Sequence, residues 1–160
     1  MAVSLEAIFE SKGITDFLSK IDLKLKKRPA EMKKLGTVLK AKVFADIISH
    51  FEQEEGPDGP WTAWSQSYDA FMKSIGKGGN KILQDSGRLR QSITPAQGLN
   101  RAINGGVLFY TDAKTRSGFP YAAAHDTGGP ILPQRKFMYL GQDGMDAIAE
   151  ATLNWLTDVN

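Results

Sequence analysis

The chain has no cysteine among its 160 residues. That excludes disulfide cross-links and thiolate metal sites, and it accords with a reducing compartment. Histidine is scarce too, limited to His50 and His125, and no His-Glu-x-x-His helix is present; a metalloenzyme site has little to draw on. No window approaches the roughly 18 uninterrupted apolar residues that a membrane span requires. The first residues, Met1 to Ser11, carry Glu6 and Glu10 and lack both a basic start and a sustained apolar run. They do not read as a secretory signal, and synthesis in a cytoplasm is expected. There is no internal repeat.

What is present is ordinary for a globular protein: 41% hydrophobic and 24% charged residues. A chain of this size forms one domain that buries about 70% of its unfolded surface. A single domain over residues 1–160 is expected, with residues 1–28 as an N-terminal helical arm. The net charge of +2 is small but uneven, because Lys20, Lys24, Lys26, Lys27, Arg28, Lys33, Lys34, Lys40 and Lys42 crowd one stretch. Such a stretch is either a solvated helix face and linker or a surface for DNA or an acidic neighbour.

Apolar spacing places the elements. Leu5, Ile8 and Phe9, then Ile14, Phe17, Leu18, Ile21 and Leu25, recur at helical intervals around a break at Gly13. Pro29 suits the first turn of a longer helix, in which Met32, Leu35, Leu39, Val43, Ile47 and Phe51 make one face. Gly56-Pro57-Asp58-Gly59-Pro60 stops it. Trp61, Trp64, Tyr68 and Phe71 follow at helical spacing and fit either core packing or a subunit contact. From Arg88 the period becomes two, which predicts a strand with Arg88 and Arg90 on one face opposite Leu89. Those arginines are either solvated or directed at a neighbouring subunit's carboxylates.

Ala102-Ile103, an Asn104-Gly105-Gly106 turn and Val107–Thr111 read as a hairpin, and Phe137–Leu140 as a last strand. Met145, Ile148, Ala149, Thr152 and Leu156 mark a closing amphipathic helix. The sum is an α+β domain: N-terminal helices, a small antiparallel β-meander in the second half and a C-terminal amphipathic helix.

Catalytic chemistry is hard to assemble from these residues. His50 near a helix end is accounted for by the helix dipole. His125-Asp126 could be a base and its orienter, but adjacent side chains rarely face each other and no nucleophile is specified by spacing. Gly76-Lys77-Gly78-Gly79-Asn80-Lys81 lacks the spacing and preceding strand of a phosphate loop and reads as a connector. Asp85-Ser86-Gly87 has turn chemistry, with Gly87 suited to positive φ. No enzyme activity, cofactor or metal is expected. Gly128-Gly129-Pro130-Ile131-Leu132-Pro133 should be an extended, projecting loop, with Arg135 at its base.

Three segments stand in a particular order: Leu83-Gln84-Asp85-Ser86-Gly87-Arg88-Leu89-Arg90-Gln91-Ser92-Ile93, then Tyr121-Ala122-Ala123-Ala124-His125-Asp126-Thr127-Gly128-Gly129, then Leu132-Pro133-Gln134-Arg135-Lys136-Phe137. Upstream lie Gly56-Pro57-Asp58-Gly59-Pro60 and Trp61. Each piece is made of common residues, and order and spacing carry the signal. The series resembles the phage virion morphogenesis family, which includes the tail-completion proteins of Mu-like phages, over roughly residues 44 to 141. That family shows Leu-x-x-Ser/Thr-Gly-x-Leu-Arg-x-Ser-Ile, then Tyr-Ala-x-x-His-x-x-Gly, then Pro-x-Arg-x-Phe. Asp126 stands where the family often has Gln, and Lys136 where it often has Pro.

The resemblance implies a non-enzymatic structural protein of the phage neck or tail end. Such a protein would assemble as a ring of six, or alternatively twelve, subunits for tail completion and head-tail joining. Its expected partners are other copies of itself, neighbouring neck and tail-tube or tail-terminator proteins, and DNA in the channel, with no membrane. Its expected location is the virion, after assembly in the host cytoplasm. Candidate interface residues are Trp61, Trp64, Arg88, Arg90, His125, Arg135 and Lys136, with Arg135 at a subunit boundary and outside the core. Candidates for contact with DNA or an acidic partner are Lys24, Lys26, Lys27, Arg28, Lys33 and Lys34. The alternative is a DNA-binding accessory protein of phage assembly acting through Lys20–Lys42.

Overall fold

Pro29 opens α1 (Pro29–Gln53), where its missing N–H removes no helical hydrogen bond and its fixed φ favours the first turn. Leu35, Leu39, Ile47 and Phe51 are buried, with Val43 packed between them, so the stripe read at four-residue intervals does face the core. The computed structural model describes residues 19, 20, 22, 29–93, 100–103 and 106–157. Of the arm, Ser19, Lys20 and Asp22 are helical; the rest of the helices expected before Pro29 lies outside the described residues.

After α1 comes a tight antiparallel hairpin, β1 (Glu55–Gly56) and β2 (Gly59–Pro60). It closes with the Trp61 amide donating to the Glu54 carbonyl at 2.7 Å. Ser65 caps α2 (Gln66–Ser74) by accepting from the Tyr68 amide. Next are α3 (Arg88–Ser92), the hairpin β3 (Arg101–Ile103) and β4 (Gly106–Leu108), α4 (Tyr121–Thr127) and α5 (Gln142–Thr157). Arg101 pairs with Leu108, Ala102 with Val107 and Ile103 with Gly106. The fold is α+β, with α1 packed against α5 and against the β3–β4 hairpin.

Two expected strands are corrected. Residues 88–92 form the helix α3, because Leu89 and Ile93, four apart, are both buried and so share one helical face. A five-residue alternation and an i, i+4 pair fit the same apolar positions, and packing decides between them. Gly87 does take positive φ (70°), but at the start of a helix. Arg88 and Arg90 therefore point apart. Phe137–Leu140 joins no sheet either, so the expected meander reduces to the β3–β4 hairpin, whose Asn104-Gly105 turn lies outside the described residues. On α5, Met145 and Ala149 are exposed rather than inward. Gly144 is the buried residue, and a Cβ there would stand 2.6 and 2.7 Å from the two Asp46 carboxylate oxygens, so its absence sets the approach of α5 to α1.

The core joins distant parts of the chain: Ile47 and Phe51 of α1, Trp61, Leu89 and Ile93 around α3, Ala122 of α4, and Phe137. Phe51 and Phe137 are wholly buried with ring centroids 5.3 Å apart, and Trp61 meets Phe51 edge-on at 5.7 Å. Asn100, also buried, accepts from the Tyr110 amide and donates to the Ser92 carbonyl, tying α3 to the β3–β4 hairpin. Phe137→Ala should cost about 3–5 kcal/mol, as expected for removing a fully buried ring. Urea titration by Trp fluorescence checks this, and an unchanged midpoint would contradict the placement of Phe137 at the centre of the core.

Candidate functional site

Residues 135–141 run partly or wholly buried without regular structure, and side chains take over hydrogen bonds a sheet would supply. The Phe137 and Met138 amides both donate to one Asp126 carboxylate oxygen, at 3.0 and 2.9 Å. The Arg135 amide donates to the His125 carbonyl at 2.7 Å. Trp61 Nε1 donates to the Lys136 carbonyl at 3.0 Å, and the Gly141 amide donates to Asp46 at 2.9 Å. His50 Nδ1 lies 3.1 Å from the Phe137 carbonyl and must be its donor, since a carbonyl only accepts. The His50 ring stacks on Tyr139 at 3.9 Å, with Asp46 3.7 Å from its other nitrogen. Asp46 and His50 were not singled out from sequence beyond the helix dipole. Their i, i+4 spacing on the inner side of α1 was the available signal.

Gly128 ends α4 at φ 74°, and a Cβ there would come within 3.0 Å of Gln134. The chain thereby folds back beside α4, and the Gln134 amide group donates to the Asp126 carbonyl. This return path brings Arg135 next to His125 and leaves Ile131, at 98% exposure, as the projecting tip.

The three segments that carry the family resemblance meet in space. Ser86 and Arg88 from the first, Tyr121 and His125 from the second, and Pro133 and Arg135 from the third line one cleft of about 840 Å³, together with residues 62–65 and Tyr68. Arg135, expected outside the core, is buried. Its guanidinium donates to the Thr62 carbonyl at 2.9 Å and to the Ala63 carbonyl at 3.4 Å. Burial lowers its pKa, with Tyr68 acting in the opposite direction. His125 is half-buried, and its Nδ1 is buried with no hydrogen-bond partner among the described residues. Burial, and then the Arg135 charge, lower the His125 pKa from 6.5.

The other candidates scatter. Trp61 is core; Trp64 is half-buried on the cleft and meets Tyr68 edge-on at 5.5 Å. Arg88 is exposed on the cleft, while Arg90 lies away from it, paired with Glu52 at 2.8 Å. Lys136 is half-buried beside Trp61. Lys33 and Lys34 are exposed on α1, Lys34 pairing with Glu31; Lys24, Lys26, Lys27 and Arg28 lie outside the described residues. Asp126 is committed to the backbone of residues 137 and 138, so it does not orient His125 as a catalytic partner would. Among the described residues no three His, Asp or Glu side chains gather to hold a metal ion.

The model of the phage virion morphogenesis family matches residues 9–157. The chain belongs to that family. It is also 30% identical over 116 residues to a protein of Escherichia phage Mu named "Putative capsid assembly protein G", covering 71% of this chain and 72% of that one. No solved structure matches it. A role in phage virion assembly follows from membership, and the segments by which the family resemblance was read are the ones that build this cleft and its backbone clamps.

Asp126→Ala would leave two part-buried amide donors unpaired, at a cost of about 1–3 kcal/mol each, whereas Asp126→Asn keeps one acceptor oxygen and should lose less. Equal destabilisation of the two variants in thermal melts would deny the clamp. His125 predicts a pH effect of definite sign. Its folded pKa is depressed below 6.5, so between those two values the unfolded chain binds more protons and stability rises with pH. The penalty is absent above 6.5 and grows on acidification. In His125→Asn the melting temperature should fall less between pH 7 and pH 5 than in the parent, and parallel curves would overturn the assignment.

Proposed function

We propose that this protein is a structural component of the phage neck or tail end that assembles as a ring, completes the tail and joins it to the filled head. The observation that carries this reading is the family match over residues 9–157, read with the cleft on which the family's segments converge. The cleft holds charged, aromatic and apolar groups with no dyad or metal cluster among the described residues, a composition suited to docking protein. Beside it Tyr68 and Phe71 of α2, with Ile75 just past its end, are each close to half exposed, while in α2 only Met72 is buried. An apolar flank of that kind fits a subunit contact.

In this reading six copies, or twelve, enclose a channel for DNA, and neck, tail-tube or tail-terminator proteins occupy the two faces. A ring needs heterologous contacts, in which one surface of each copy meets a different surface of the next. The protein acts without catalysis and resides in the virion neck after assembly in the host cytoplasm. The rival role as a DNA-binding accessory gains little from α1. At about 100° per residue, Lys33 and Lys40 share one side while Lys34 and Lys42 fan out over half the circumference.

A phage lacking the gene should yield filled heads and separate tails, restored to joined particles by the protein supplied in trans. The purified protein should sediment as a closed oligomer. Normal particles without the gene would refute the joining role. DNA binding that collapses steeply with salt, without self-assembly, would favour the accessory role instead.

A further inference from the structure

The cleft has a charge without an ionic partner among the described residues. Arg88 is exposed and makes no ion pair among the described residues, the Arg135 guanidinium bonds to the carbonyls of Thr62 and Ala63, and Lys81 bonds to the Glu52 carbonyl at 2.7 Å. Asp85, the acid on the cleft wall, is taken by Lys77 at 2.6 Å. Three cations therefore face neutral acceptors or water, beside the buried Nδ1 of His125, which has no partner among the described residues. Trp64, Leu132 and the exposed Ile131 supply an apolar side. Such a surface fits a segment that is both acidic and apolar.

We propose that this segment is Ser4–Glu10 of a neighbouring copy, so that the N-terminal arm of each subunit fastens it to the next. The proposal deepens the ring reading and rests on it. Ser4-Leu5-Glu6-Ala7-Ile8-Phe9-Glu10 carries two carboxylates and no cation. In a helix Glu6 and Glu10 share one side, and Leu5, Ile8 and Phe9 share another. The acids meet Arg88 and Lys81; the apolar side meets Trp64, Ile131 and Leu132.

The ring reading favours another copy's cleft over the chain's own. The cleft lies near the C-terminal end of α1, where Lys81 holds the Glu52 carbonyl and Leu89 packs in the cluster with Phe51. The arm leaves from the opposite end, at Pro29, and a helix of 25 residues is about 37 Å long. Donor segment and acceptor cleft are different surfaces, which is the heterologous contact that a closed ring requires.

Because the chain has no cysteine, introduced thiols report on this contact alone. Ala7→Cys and Ser86→Cys variants, mixed and oxidised, should yield a disulfide-linked pair of doubled mass on a non-reducing gel, above the level that either variant gives by itself. The double variant should yield multiples of the chain mass. Oxidation of the double variant without a change of mass would place the arm in its own cleft and overturn the proposal, as would the absence of any link in the mixture.

Sedimentation velocity separates this idea from the ring itself. Glu6→Lys with Glu10→Lys should weaken self-association by roughly tenfold or more, and adding Arg88→Glu should recover part of the loss, with circular dichroism unchanged throughout. A parent protein that remains a monomer at all concentrations fails both readings. A parent that assembles, and assembles equally well with both glutamates reversed, keeps the ring and sinks the arm.

Discussion

A buried backbone outside a sheet must find a hydrogen-bond partner for each amide and carbonyl, or bear the cost of leaving them dry. Residues 135–141 set that condition, and much of the molecule answers it. Asp126 serves two amides, Trp61 and His50 each serve a carbonyl, and Asp46 serves the Gly141 amide. These partners come from α1, from the residue after β2 and from α4, so one irregular segment draws together elements far apart in sequence. Phe137 then fills the space between Phe51 and the rest of the cluster.

The clamp also makes the cleft. Holding residues 135–138 against α4 brings the Arg135 guanidinium under the Thr62 and Ala63 carbonyls, beside His125. The Asp126 carboxylate, next to His125 in sequence, is thereby committed to the backbone. The neighbourhood of His and Asp in sequence reflects a structural division of labour: one residue lines the cleft wall and the other secures the segment that forms its floor. Arg135 likewise serves the fold first, which is why it lies inside although an Arg at the base of a Gly- and Pro-rich loop suggests a surface role.

The exposed aromatic flank of α2 follows a different logic. Trp61 precedes the helix and enters the core, whereas Tyr68 and Phe71, at the same apparent spacing, remain outside with Ile75. The regular aromatic interval spans the boundary between an irregular stretch and a helix, and a period carried across such a boundary no longer marks a single face. An apolar flank thus lies next to the cationic cleft.

The four-residue spacing from Leu35 to Phe51 determined α1 and its inward face, because a 25-residue helix leaves its stripe little freedom. The order of the Leu-Ser-Gly, Tyr-Ala-His and Pro-Arg-Phe segments determined the family. Short apolar runs determined less: Leu89 and Ile93 satisfy a strand and a helix equally, and their burial on one face of α3 came from the packing around them. Residues 137–140 have a strand's composition, yet their hydrogen bonds go to side chains from distant elements rather than to a neighbouring strand. Only the tertiary structure decided this, because a hydrogen-bond partner 87 residues away, as between His50 and the Phe137 carbonyl, leaves no periodic mark on the sequence.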